Sequence, residues 1–424
     1  MRGVVRGLLV VPLLLSALAG CLNGDDAPSS TTSGDDLLPD LPVAPVPDPW
    51  YDISGFSYLD YHAPTLTGGV VQSPVTPFHT LDEIAAKIDA WNTTYPGLVD
   101  VRVIGETLQG RPIWDVVLTD ESVPGPKATP LLDGGHHANE LGGIEIMLYT
   151  IDYLLINHAT NATVRGLLRD LAIHIVPLLN PDGYVVQTRG NALGVNLNRN
   201  YDIDWGNPLG ASNLLMGTVA HTLGRPVPTV PIVAENCGPS AFSEPETRAM
   251  RDLMHNLSET AVFYVTGHTP THAVIAPWGA YDPPFPVPDD HREVLDAELN
   301  WIRTHTEYEA GRAAWGDLSA GLPYAASGSS MDYFYVTTGQ AGFTVEVEFY
   351  ITSATSEDYP MRWLGEFEGL RYWMDATLPI IMHLLANWDH IQAWETPTRA
   401  ALIPEGSVPT PPERPFPAPP PVMH

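Results

Sequence analysis

Leu131-Leu132-Asp133-Gly134-Gly135-His136-His137-Ala138-Asn139-Glu140 is the stretch on which the reading of the whole chain turns. A short apolar run ends in two glycines, side chains able to bind metal follow at once, and a long apolar helix then runs from about Glu140 to Ile156. A strand passing directly into a helix is the unit of an α/β domain, where ligands bind beyond the carboxyl ends of strands. His137 stands at that place. With Glu140 three positions on, it can reach one metal ion from the strand end and the first helical turn. His136, whose own third neighbour is Asn139, does not complete such a pair. A lone His-x-x-Glu is weak, because 15 histidines and the glutamates that make up about half of the 50 acidic residues, among 424 positions, produce about one by chance. Gly267-His268, directly after an apolar run at Ala261 to Val265, offers a second imidazole at a second strand end. Two histidines and one carboxylate are the set a catalytic zinc takes while keeping one coordination position open.

Outward from this centre, strands and helices alternate. Thr80-x-x-Glu83 is a capping box, and Leu81, Ile84, Ile88 and Trp91 follow at helical spacing. Val99, Val101 and Val103 alternate as a strand, Ile113 to Leu118 reads as another, and further strands are expected at Ala172 to Leu179 and Phe343 to Phe349. Helices are expected at about Pro245 to Leu257, His291 to His305 and Met361 to Trp388. The fold class is therefore α/β, a mixed and largely parallel central sheet flanked by helices, in one large domain over residues 50–390.

Arg2 and Arg6 precede the apolar run Leu8 to Leu18, so residues 1–20 read as an export signal, too short to span a membrane stably. Residues 21–49 are poor in apolar side chains and read as a flexible linker; residues 391–424 form a Pro-rich tail. The formal net charge is −30, and Lys87 and Lys127 are the sole lysines among 20 basic residues. Such a surface repels nucleic acid and anionic headgroups. Leu18-Ala19-Gly20-Cys21 resembles a bacterial or archaeal lipoprotein processing box. That resemblance implies lipidation of Cys21 and an extracytoplasmic protein, at the cell surface or in the periplasm, held to the membrane by its lipid anchor alone. Cys237 then has no intrachain partner for a disulfide.

Between the two histidine motifs lie Asn180-Pro181-Asp182-Gly183-Tyr184, Arg189, and Gly194-Val195-Asn196-Leu197-Asn198-Arg199-Asn200. Here, in order, the chain resembles the zinc metallocarboxypeptidases of the carboxypeptidase A type. Phe242-Ser243-Glu244-Pro245-Glu246-Thr247, Pro277 nine positions after His268, the run Tyr324 to Asp332 and Phe343-Thr344-Val345-Glu346 continue the likeness, which spans roughly Trp50 to Trp388. Ser243-x-x-Glu246 also reads simply as a helix cap. On a period-two strand Thr344, Glu346 and Glu348 share one face, which could be a solvated acidic face; position within the motif favours Glu346.

The resemblance implies one zinc ion (Zn2+) per chain on His137, Glu140 and His268, with Glu346 moving the proton and Arg189 stabilising the oxyanion. Asn198, Arg199 and Tyr324 would hold a free C-terminal carboxylate. Met331 would line the pocket of the terminal side chain, and its apolar nature favours apolar or aromatic residues there. Asn139 stands where many such enzymes have an arginine, which removes one auxiliary contact. The stretches Asp202 to Ala241 and Ala280 to Leu322 are long enough to reshape the cleft rim, and the linker is too short for a domain-sized inhibitory pro-segment. The expected partners are peptide or protein C-termini, and the expected state is a monomer. An amidase or deacylase on the same scaffold, acting for instance on cell-wall peptides, shares the metal triad and Glu346 but needs other carboxylate contacts. A metal-free binding lipoprotein would have lost a ligand or Glu346, and none is lost.

Overall fold

The structure, a computed structural model, describes residues 78–207, 236–270, 272–313, 321–322, 326–347 and 366–391. The export signal, Cys21, the linker, Tyr324, Glu348 and the tail beyond Ile391 lie outside the described residues. The elements, in chain order, are α1 (Leu81–Thr94), β1 (Val99–Glu106), β2 (Pro112–Leu118), β3 (Thr129–Gly134), α2 (Leu141–Asn157), α3 (Ala162–Asp170), β4 (Ile173–Val176) and α4 (Pro181–Val186). After them come α5 (Pro245–Leu257), β5 (Ala261–His268), β6 (Ala273–Ala276), α6 (Asp289–His305), β7 (Glu309–Ala313), β8 (Gly321–Leu322), α7 (Ser330–Thr338), β9 (Ala341–Glu346), α8 (Glu366–Ala386) and α9 (Trp388–Ile391).

The strands form one nine-stranded sheet in the order β1-β2-β4-β3-β5-β9-β6-β7-β8. Its centre, β4-β3-β5-β9, is parallel throughout, while β1, β2 and the β6–β9 pairing are antiparallel. The mixed, largely parallel sheet expected from the sequence is therefore present. Every residue of β3, β5 and β9 is buried, as befits parallel strands covered by helices on both faces. Glu346 and Thr344 thus lie on a buried strand and not on a solvated acidic face, because the neighbouring strands and helices leave no water-facing side there.

The capping box forms as read: Thr80 Oγ1 accepts the Glu83 N–H, and the Glu83 carboxylate accepts the Thr80 N–H at 2.7 Å. Two buried carboxylates of α2 then hold α1 in place. Glu145 accepts the backbone N–H of His79 and meets its ring nitrogen, and Asp152 accepts from Lys87 Nζ at 2.8 Å and Trp91 Nε1 at 2.6 Å. Groups this deeply buried need such partners.

Several expected elements differ in extent. The strand begun at Ala261 continues to His268, so that histidine is the last residue of β5 rather than the first after it. The expected strand Ala172 to Leu179 is cut to β4, since the chain must leave the sheet to bring Asn180 into position as the N-cap of α4. Ser243 does not cap α5: the N-cap residue is Glu244, and the Ser243 hydroxyl donates to the Glu244 side chain at 2.6 Å instead. The strands β6 to β8 and the helices α3 and α7 are additional elements; β6 and β7 are too short to show a period.

Glycines decide how closely α2 approaches the sheet. A Cβ on Gly143 would lie 2.4 Å from the carbonyl oxygen of Gly267, and one on Gly134 would lie 2.4 Å from that of Gly143. Three glycines therefore let the first turn of α2 rest on the ends of β3 and β5. We expect Gly143→Ala to lower unfolding free energy by about 3 kcal/mol, the upper range for overpacking a tight contact. Urea denaturation measures this, and a loss under about 0.5 kcal/mol, ordinary for a surface change, would show that the contact yields.

Candidate metal centre and active site

The glycine contact sets Glu140, the N-cap residue of α2, against the carboxyl ends of β3 and β5. His137 approaches from the turn after β3, and His268 from the end of β5. The Glu140 carboxylate lies 2.8 Å from His137 Nδ1 through one oxygen and 2.8 Å from His268 Nδ1 through the other. The two Nδ1 atoms are 3.1 Å apart. Two ring nitrogens that close cannot both carry a proton toward each other, so lone pairs and a carboxylate converge on one point. Ligand atoms bonded to a tetrahedral zinc at about 2.0–2.1 Å sit about 3.3 Å apart. The donor set and its spacing fit that ion, and among the described residues this is the one such cluster. His136 belongs to the core instead, meeting the Tyr201 hydroxyl at 2.8 Å and the Asp133 carboxylate at 3.4 Å.

All three groups are buried. Burial, then Arg189, pushes His137 down to about 3, and burial likewise lowers His268, so both rings are neutral near pH 7. Burial alone would raise Glu140, yet the groups facing it hold it well below the usual carboxylate range. Neutral imidazoles beside an ionised carboxylate are the protonation states a metal requires.

Of the other residues named from the sequence, Arg189, Glu346 and Asn198 lie beside this point. Arg189, on the segment after α4, places Nη1 2.6 Å from Glu140 and 2.9 Å from His137 Nδ1. Its side chain is 39% exposed, so the guanidinium borders the open side of the centre. Glu346 ends β9 and pairs in register with His268, which brings it beside the ligands from the neighbouring strand. Leu197–Arg199 form a single 3-10 turn. Within it, Asn198 accepts the N–H and hydroxyl of Ser330 and turns its amide nitrogen toward His268 Nε2 at 3.1 Å, while Arg199 donates to the Asn198 carbonyl. Met331, in the first turn of α7, is buried against Gly342 and accepts the Thr344 hydroxyl at 3.4 Å. Asn139 is exposed, and Tyr324 lies outside the described residues.

Two contributors were not evident from residue types. Asn196 accepts from His137 Nε2 at 2.8 Å. It stands inside the run Gly194 to Asn200, but only the fold shows what it touches. Asp182, of the Asn-Pro-Asp-Gly segment, does more than make a turn: its carboxylate accepts from the Thr107 hydroxyl, the Gln109 N–H and Arg111 Nη1, at 2.8, 3.0 and 2.6 Å. The connection between β1 and β2 is thereby tied to α4, the helix preceding Arg189.

Residues 84–354 match the zinc carboxypeptidase family, and the chain belongs to that family of metallocarboxypeptidase hydrolases. It is 26% identical to bovine (Bos taurus) carboxypeptidase O over 310 residues, 69% of this chain and 71% of that one. Against mouse (Mus musculus) carboxypeptidase A2 it is 28% identical over 277 residues, 61% of this chain and 59% of the relative's length. The fold is similar to that of carboxypeptidase A from Helicoverpa armigera, with a TM-score of 0.57, 20% identity, and 81% and 82% of the two chains covered. Removing the sole carboxylate ligand should disable the centre. We expect Glu140→Gln to weaken zinc binding at least about a hundredfold, beyond the usual effect of outer-shell changes, with the far-ultraviolet circular dichroism unchanged. Chelator competition measures it, and an affinity within threefold of the parent's, roughly 0.65 kcal/mol, would remove Glu140 from the ligand set.

Proposed function

We propose that the protein hydrolyses the C-terminal peptide bond of peptides or proteins and prefers apolar or aromatic terminal residues. The observation that carries this reading is that Glu346, Arg189 and Asn198 lie beside the His137-Glu140-His268 centre, at the carboxyl ends of the central strands β3, β5 and β9. Zinc held by His137, Glu140 and His268 supplies Lewis acidity and lowers the pKa of water. Glu346 takes a proton from the attacking water and passes it to the leaving amine. Arg189, on the open side, stabilises the negative charge that develops on the scissile carbonyl oxygen. Asn198, Arg199 and Tyr324 hold the terminal carboxylate, for which a planar guanidinium is well matched. That grip confines cleavage to the last bond.

The terminal side chain enters toward Met331, whose thioether and buried, apolar setting disfavour a charged partner. Among the described residues no helix is long and apolar enough to cross a membrane. Export, and a lipid on Cys21, would tether the catalytic domain as a monomer outside the cytoplasm.

Peptides differing only in their last residue, each as free acid and as amide, test the reaction. Free acids ending in Phe or Leu should be cleaved fastest and amides hardly at all; equal cleavage of acid and amide rules out carboxypeptidase action. Glu346→Gln should lower kcat by about 10³-fold, in the range for loss of a general acid–base group, while zinc content is retained. Full activity of that variant would assign the proton transfer elsewhere. For the anchor, radiolabelled palmitate should enter the parent protein in a bacterial host and fail to enter Cys21→Ser; equal labelling of both would dismiss lipidation at Cys21.

A further inference from the structure

Each ligand histidine has a second ring nitrogen, and its contact tunes the first. Metal-binding imidazoles almost always give that N–H to a carboxylate, a backbone carbonyl or water, and such partners commonly change metal affinity ten- to a hundredfold. In a chain with 50 acidic residues, both outer nitrogens here meet side-chain amides: His137 Nε2 meets Asn196 Oδ1 at 2.8 Å, and His268 Nε2 meets the Asn198 amide at 3.1 Å.

The Asn196 contact has a defined sense. Its Oδ1 also accepts the backbone N–H of Asn198 at 3.0 Å, which identifies that atom as the oxygen. His137 therefore carries its proton on Nε2 and directs the Nδ1 lone pair at the metal position. Asn196 is buried and its own N–H donates to the Asn236 carbonyl at 2.8 Å, so it cannot swing away cheaply. It orients the ring as a carboxylate would, but without a negative charge to raise the basicity of the ligand nitrogen. On the opposite side of the same ring, Arg189 brings a permanent positive charge within hydrogen-bond reach of His137 Nδ1 and of Glu140. Both features oppose a dication.

We propose that Asn196 is a positioning residue that fixes the His137 tautomer while keeping zinc affinity low, so that this protein holds its metal as an exchangeable ion. The inference rests on the metal-dependent reading of the site, but its readout is affinity and not turnover. The test is zinc competition with a chromophoric chelator, at pH 7.5 or about that, on purified full-length parent, Asn196→Asp, Asn196→Leu and Arg189→Gln. Asn196→Asp should bind zinc about ten- to a hundredfold more tightly and release it more slowly, and Asn196→Leu should bind it about ten- to a hundredfold more weakly. Arg189→Gln should also bind more tightly, by about tenfold. Thermal melting of the chelator-treated proteins reports folding separately. Parent-like affinity in a folded Asn196→Asp overturns the proposal; if that variant does not fold, parent-like affinity in a folded Asn196→Leu overturns it. A protein that binds zinc with this pattern yet cleaves no peptide would refute the proposed function and leave the affinity inference standing.

Discussion

The contact of Gly134, Gly143 and Gly267 is the constraint on which the site depends. A helix packed on a sheet at ordinary distance would hold Glu140 too far from the two strand ends to meet both histidines. Without Cβ atoms, the first turn of α2 reaches the backbone of β3 and β5, where the added atoms would meet carbonyl oxygens at 2.4 Å. Close packing that tolerates no extra methyl also transmits position, so the ligands are fixed by the same contact that joins helix and sheet.

Charge at the centre is balanced locally despite the acidity of the chain. Glu140 faces Arg189, and the histidines are kept neutral by burial. A second buried carboxylate, Asp332, accepts the Gly279 and Ala280 N–H groups and is pushed up to about 7 by burial. It binds the segment after β6 to the start of α7, beside Met331. The wall of the proposed side-chain pocket is thus held by backbone hydrogen bonds rather than by charge pairing.

Local sequence patterns specify structure where the physics is local. The box at Thr80 needs only its own turn, and α2 announces itself by length and apolar content. Ser243 misled because its hydroxyl has a competing acceptor in Glu244, one residue away. Glu346 invited a solvent-facing reading because alternation assumes one wet face, whereas β9 lies between β5 and β6 and is buried throughout. The short strands β6 and β7 carry too few residues for any period to emerge.

The sequence by itself determined the fold class, the pairing of His137 with Glu140 across a strand-to-helix turn, and the resemblance carried by the ordered motifs downstream. Those features depend on neighbours along the chain or on motif order. Only the tertiary structure decided that His268 and Glu346 stand side by side, that Asn196 backs His137, and that Asp182 anchors the connection between β1 and β2. Each joins residues far apart in the chain, and parallel register together with glycine-limited packing, invisible to local spacing, sets which atoms meet.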